Sequence, residues 1–176
     1  MTPIDEKRKF ISINIAVLTI SDSRTLKEDT SGEFLVQSIT DLGHRICERQ
    51  IIKDEISLIK NILLTWATDC NIDAIITSGG TGLTGRDSTP EAIHSIADKN
   101  IEGFGELFRQ ISFNKIGTST IQSRALGAVI KGTYIFALPG STSACIDAWE
   151  GILKYQLDNR YMPCNFIEIM PRLMEI

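Results

Sequence analysis

Four short stretches read as β-strands: Ile11 to Ile20, Arg45 to Lys53, Ile72 to Thr77 and Tyr134 to Leu138. Every return between them is far longer than a hairpin turn. An antiparallel neighbour can be reached through a two-residue turn, whereas a parallel one needs a crossover of about a dozen residues or more. The spacing therefore predicts an α/β chain with a mostly parallel sheet covered by helices on both faces. In such sheets ligands bind beyond the carboxyl ends of the strands. The polar loops 21–32, 78–89 and 139–142 all follow strand ends, so they are expected to meet on one rim and to line one pocket.

The crossovers carry helical signals. Thr30-x-x-Glu33 reads as a capping box ahead of Phe34, Leu35, Ser38, Ile39 and Leu42, with Gly43 as the residue after the helix. Asp54 or Ser57 is placed to cap a second helix, whose stripe is Ile56, Ile59, Leu63, Trp66 and Ala67. Thr89-Pro90-Glu91 has the order of N-cap, N1 and N2. Glu102 to Asn114, Ser119 to Val129 and Ser141 to Gln156 are read as helical, and the tail 160–176 as irregular.

The 176 residues fit one domain with a core of about 10–168, and 43% hydrophobic residues suffice to fill it. No internal repeat or linker interrupts the chain. The net charge of −4 without a long basic tract argues against nucleic acid. An acidic chain that binds phosphate must find positive potential locally. Cys47, Cys70, Cys145 and Cys164 contain no C-x-x-C pair and have only His44 and His94 to assist, a poor zinc set. The start MTPIDEKRKF lacks signal-peptide features, and no apolar run is long enough for a membrane helix. A cytoplasmic protein with reduced thiols is the expectation.

Ser78-Gly79-Gly80-Thr81-Gly82 follows the third strand directly, and Gly80 to Gly85 spells G-x-G-x-x-G. A dinucleotide fingerprint belongs to the first strand of its unit, with the helix opening inside the motif; here Pro90 delays the helix. The P-loop reading also fails, because Arg86-Asp87 stands where Lys-Ser or Lys-Thr is required. Two readings remain: a plain long turn, or a backbone cradle in which glycines let N–H groups face an anion. Arg86 can fork onto phosphate oxygens. Asp87 would repel the same phosphate unless a cation lies between them, which suggests a hydrated Mg²⁺ shared with Asp54 at the end of the second strand. The plainer alternatives are a helix cap for Asp54 and a turn residue for Asp87.

The run Thr77-Ser78-Gly79-Gly80-Thr81-Gly82-Leu83-Thr84-Gly85-Arg86-Asp87, followed by Thr89-Pro90-Glu91-Ala92, resembles the signature loop of the MoaB/Mog family. The resemblance extends through Asp29-Thr30-Ser31-Gly32, Gly117-Thr118-Ser119, Leu138-Pro139-Gly140-Ser141 and Pro163-Cys164-Asn165-Phe166, covering roughly residues 10 to 168. It implies a three-layer α/β/α sandwich of the MoeA-N/MogA type. It also implies a homotrimer or homohexamer, for which region 99–131 and the tail 160–176 are the expected interface. Active members adenylylate molybdopterin with Mg-ATP in molybdenum cofactor biosynthesis. Carried over residue by residue, Asp54 and Asp87 become the catalytic, magnesium-associated acids. Asp29, Ser31, Ser78, Gly79, Gly80, Thr81, Gly82, Arg86, Pro139, Gly140 and Ser141 become binding residues for pterin or nucleotide. Leu83-Thr84-Gly85 is typical of the MoaB branch, and Ser141 stands where molybdate-insertion relatives carry Asn-Pro. The expected partners are other proteins of the same pathway. The alternative function is a non-catalytic pterin-binding carrier or assembly protein.

Overall fold

The computed structural model describes residues 4–175. Six strands form one sheet: β1 (Asn14–Ile20), β2 (Arg45–Ile52), β3 (Ala74–Ser78), β4 (Lys99–Ile101), β5 (Leu126–Ile130) and β6 (Thr133–Leu138), in the order β2-β1-β3-β6-β5-β4. β2, β1, β3 and β6 run parallel, while β5 is antiparallel to both β6 and β4.

Two hydrophobic clusters make the fold three-layered. On one face Ile15, Val17, Ile76 and Phe136 pack against α1 (Thr30–Leu42), α4 (Glu102–Ile116) and α5 (Thr142–Ala148) through Leu35, Ile39, Phe108 and Cys145. On the other, Ala16, Leu18, Ile75 and Ile135 pack against α2 (Ile56–Ala67) and α3 (Thr89–His94) through Ile59, Leu63 and Ile93. The alternation along β1 follows from the two-residue period of a strand with both faces covered. This is the expected α/β/α sandwich.

Several boundaries move. The first strand begins at Asn14 and the third at Ala74, each later than the apolar runs imply. Asp29, not Thr30, caps α1: its carboxylate accepts from the Gly32 N–H at 3.0 Å. Neither Asp54 nor Ser57 caps α2; Glu55 holds that position without a side-chain bond. Ser88 occupies the N-cap of α3, one residue before Thr89. The helix from Ser141 holds, with Ser141 as its cap. A π segment (Trp149–Leu153) lies between α5 and α6 (Lys154–Gln156).

The largest correction is Ser119 to Val129. It folds as a 3₁₀ helix (Gly117–Gln122) followed by β5, which reaches β6 through the turn Lys131-Gly132, with φ 51° and 84°. Two positive φ values give the turn whose twist suits a two-residue hairpin. Ile121, Ala125 and Val129 have helical spacing, but a short apolar run such as Leu126 to Ile130 fits a buried strand equally well.

The tail also departs from expectation. α7 (Phe166–Ile169) packs Phe166 against Tyr134 and Phe136, ring centroids 4.9 and 5.4 Å away, and Tyr134 donates to the Phe166 carbonyl at 3.0 Å. With Ile167 and Asn165 buried, this part of the tail belongs to the chain's own core. Among the described residues no helix is long and apolar enough to cross a membrane.

Candidate functional site

Strand register brings the loops to one rim. Thr19 pairs with Ser78, Ser78 with Leu138, and Ile20 with Ile52, so β1, β2, β3 and β6 end nearly level. β1 returns through α1 to β2 on one side, while β3 lies on its other side. The reversal puts a crevice between the loops after β1 and β3, where open α/β sheets bind ligands.

Glycine is required in that crevice. Gly79 has φ 106°, and a Cβ there would stand 2.1 Å from the Ile20 carbonyl oxygen; its N–H donates to the Leu138 carbonyl at 2.9 Å. Gly80, at φ 65°, would drive a Cβ to 2.3 Å from the Thr89 hydroxyl and 2.6 Å from an Asp54 carboxylate oxygen. A Cβ at Gly82 would meet the Asp87 carboxylate at 2.7 Å. Both acids therefore lie directly against the glycine loop.

They are held differently. Asp54 Oδ1 accepts from the Ser88 N–H at 3.1 Å and from its hydroxyl at 2.5 Å. Asp87 Oδ2 accepts from the Thr84 N–H at 2.8 Å and its hydroxyl at 2.6 Å. Burial works to raise the Asp87 carboxyl. The Thr84 bonds, the Gly82 N–H and the Arg124 charge outweigh it and hold the group below the usual carboxylate range. The Asp54 bonds bring its carboxylate to Ser88, the residue that follows Asp87 in the chain.

The glycine loop separates two cavities. One, of about 400 Å³, is lined by Gly79 to Gly82, Asp87 and the Pro139-Gly140-Ser141 turn, with Phe108 and Ile116 as apolar wall and Ser119 to Ser123 as polar wall. The other, of about 680 Å³, is lined by Asp54, Ser57, Lys60, Asn61, Arg86 and Ser88. The expected single pocket is thus divided, with one acid facing each half.

Asp29, Ser31 and Ser78 are buried and line neither half. Ser78 donates to the Thr19 hydroxyl at 3.4 Å, and Thr19 donates to Asp29 at 2.8 Å. Arg49 and Arg24 stand 3.5 and 3.9 Å from that carboxylate, and Arg24 also donates to Ser31 at 2.8 Å. The loop 21–32 therefore lies behind the glycine loop instead of lining its cavity. It touches the 139–142 turn through a 2.8 Å hydroxyl pair, Thr30 with Thr142. Arg86 points to Asp22, to which it donates twice, at 2.8 and 3.1 Å. That guanidinium holds the Asp22 carboxyl below its ordinary value. The Cys145 thiol, close to the cavity wall, is pushed up to about 12 by burial and then by the Asp29 charge, so it stays protonated near neutral pH.

Three residues that hold the site were missed in the sequence reading: Thr84, Ser88 and Arg124. Ser88 and Thr84 bracket Asp87 in the signature loop and could have been suspected from the Asx-type bonds such side chains make. Arg124 sits in the segment misread as helix. Its Nε donates to the Gly82 carbonyl at 2.7 Å, one Nη to the Asp87 carbonyl at 2.8 Å and the other to Glu91.

Among the described residues no group of three or more His, Cys, Asp or Glu side chains is arranged to hold a metal ion. A hydrated Mg²⁺ needs only one or two carboxylates and completes its shell with water and substrate phosphates, and Asp54 and Asp87 each stand against the glycine loop.

Residues 16–159 match the family described as "Probable molybdopterin binding domain". The chain is 46% identical over 158 residues to molybdenum cofactor biosynthesis protein B of Escherichia coli K12, covering 90% of this chain and 93% of that protein. It is 40% identical to the protein of that name from Staphylococcus epidermidis, covering 87% and 89%. A crystal structure of a molybdenum cofactor biosynthesis protein B superposes with TM-score 0.82 at 37% identity, over 85% of this chain and 94% of that one. The tungsten cofactor synthesizing protein MoaB from Pyrococcus furiosus superposes with TM-score 0.72 at 33% identity, over 80% and 90%.

Proposed function

This chain belongs to the molybdopterin-binding domain family, and on that premise we propose that it adenylylates molybdopterin with Mg-ATP. It acts in molybdenum cofactor biosynthesis, as its relatives' names indicate. The observation that carries the finer reading is the glycine loop set between two cavities, with Asp87 facing one and Asp54 the other. A reaction that joins two polyanions needs two binding spaces that meet at a screened point. The cavity with Phe108 and Ile116 suits a flat pterin, while Lys60 and Arg86 suit a triphosphate.

In this reading a terminal phosphate oxygen of molybdopterin attacks the α-phosphorus of ATP. A new P–O bond forms to the α-phosphorus, its bond to the oxygen bridging the α- and β-phosphates breaks, and pyrophosphate leaves carrying that bridging oxygen. Asp54 and Asp87 would hold Mg²⁺, which supplies charge neutralisation for the transferring phosphoryl group. Loop N–H groups other than those of Gly79, Gly82 and Thr84, which already bond within the protein, orient the phosphates; Arg86 draws on phosphate oxygens when it leaves Asp22, and no side-chain nucleophile is needed.

The assembly is proposed as a homotrimer or homohexamer, with other proteins of the pathway as partners. Leu107, Phe113, Ile116 and Ile121 are exposed on α4 and the turn after it, which supports region 99–131 as the interface. Incubation with molybdopterin and Mg-ATP, followed by mass detection of adenylylated molybdopterin and pyrophosphate, tests the reaction. Tight pterin binding with no product at saturating Mg-ATP would favour the non-catalytic carrier instead.

A further inference from the structure

We propose that Arg124 is the positioning residue that sets the glycine loop and, through it, aims Asp87 into the cavity. The inference rests on the adenylyl-transfer reading for its catalytic consequence, though not for its geometry. One guanidinium bonds both ends of the segment between Gly82 and Asp87, at 2.7 and 2.8 Å, and the Arg124 N–H donates to the Thr81 carbonyl at 3.1 Å. Its remaining Nη is anchored on Glu91 in α3. The loop is thus cross-braced at Thr81, Gly82 and Asp87 from a single residue.

The bracing is selective. Nothing packs within 4 Å of the Cβ position at Gly85, and Leu83, Thr84, Gly85 and Arg86 are all exposed. The middle of the segment is tied to the rest of the molecule by the exposed Arg86–Asp22 pair, so its shape depends chiefly on its ends. Asp54 reaches only as far as Ser88. Arg124 also follows Ser123, which lines the Asp87 cavity, so a ligand pressing on that wall acts one residue from the brace. A lysine can replace it only in part, because an ammonium lacks the planar fork that reaches two carbonyls and a carboxylate together.

The test uses the full chain and four variants: Arg124→Gln, Arg124→Lys, Arg124→Ala and Glu91→Gln. Amide hydrogen exchange should rise about 10²-fold for the hydrogen-bonded loop amides of Thr84 and Asp87 in Arg124→Gln, as expected when two charge-assisted bonds are lost. Sheet amides should be unchanged. In the adenylylation assay kcat should fall about 10²-fold, while KM for molybdopterin moves less than about threefold, the pattern of a contact that matters in the transition state. Arg124→Lys should recover part of both, and Glu91→Gln should fall between Lys and wild type. Added ethylguanidine should restore loop protection and turnover to an Arg124→Ala protein.

Unchanged loop exchange in Arg124→Gln, or turnover within twofold of wild type, overturns the proposal. A wild type that makes no product sinks the adenylyl-transfer reading instead. Arg124 is then judged on loop exchange and its rescue alone, where lost and restored protection support the brace and an unaltered pattern refutes it.

Discussion

The two acids at the glycine loop invite comparison because they differ in what holds them. Asp54 is 9% exposed, and one of its oxygens takes both the N–H and the hydroxyl of Ser88, tying the end of β2 to the start of α3. Asp87 bonds back to Thr84 within its own loop and faces the cavity shared with the Pro139-Gly140-Ser141 turn. Both acids line a cavity, but the first is tied to the start of a helix and the second only to its own loop. Residues of one chemical type at one site can thus differ in how much of the fold depends on them.

The division is sharpest for Asp87→Asn, where the largest effect is expected. Removing the charge while keeping the size should lower kcat about 10²–10³-fold, the usual result of deleting one strong electrostatic contact. Pterin affinity and urea stability should stay close to wild type. If Asp87→Asn unfolds more readily than Asp54→Asn, the roles assigned to the two acids are reversed.

The next effect is in the frame. Gly80→Ala must place a side chain at φ 65° and push into Asp54 and Thr89, so urea unfolding should show a loss of about 1–3 kcal/mol from backbone strain, before any clash is added. Gly85→Ala, with open space around it, should stay within about 0.5 kcal/mol of wild type. Equal losses at the two glycines would show that the loop is not pressed against Asp54.

Asp54→Ala leaves the Ser88 N–H and hydroxyl without their acceptor and should cost about 1–2 kcal/mol, because Ser88 keeps some access to water. Calorimetry that shows no change in thermal stability would remove Asp54 from the frame.

The smallest effect is the pH dependence on the Asp87 side. Its folded carboxyl lies below the ordinary value of 3.8. The stability it contributes is therefore fully present above that value and is lost as pH falls through the lower, folded one. The stability difference between wild type and Asp87→Asn should stay flat from pH 7 down to about 4 and shrink only below it. A difference that fades between pH 7 and 5 would place Asp87 in a different environment.

Much of this was legible in the residues. The strand–crossover alternation announced the three layers, because buried parallel strands need both period and spacing to be right. Gly79, Gly80 and Gly82 announced a backbone that must approach something closely, and the structure identifies it as Ile20, Asp54 and Asp87. Ser119 to Val129 was misread because a short apolar stretch carries no length signal to separate strand from helix. Asp29 and Ser31 came to the ligand through the resemblance alone, and their burial was not legible because a polar loop at a strand end looks the same whether its side chains point outward or inward.

Local sequence determined most of the elements and where glycine was obligatory, since periodicity and backbone sterics act over a few residues. Only tertiary structure decided that Asp29 is a buried cap, that the tail completes the core, and that the single expected cavity is two. It also recruited Arg124 to Gly82 across a separation of 42 positions. Such contacts depend on which strands become neighbours and in what register, and no short stretch of the chain carries that information.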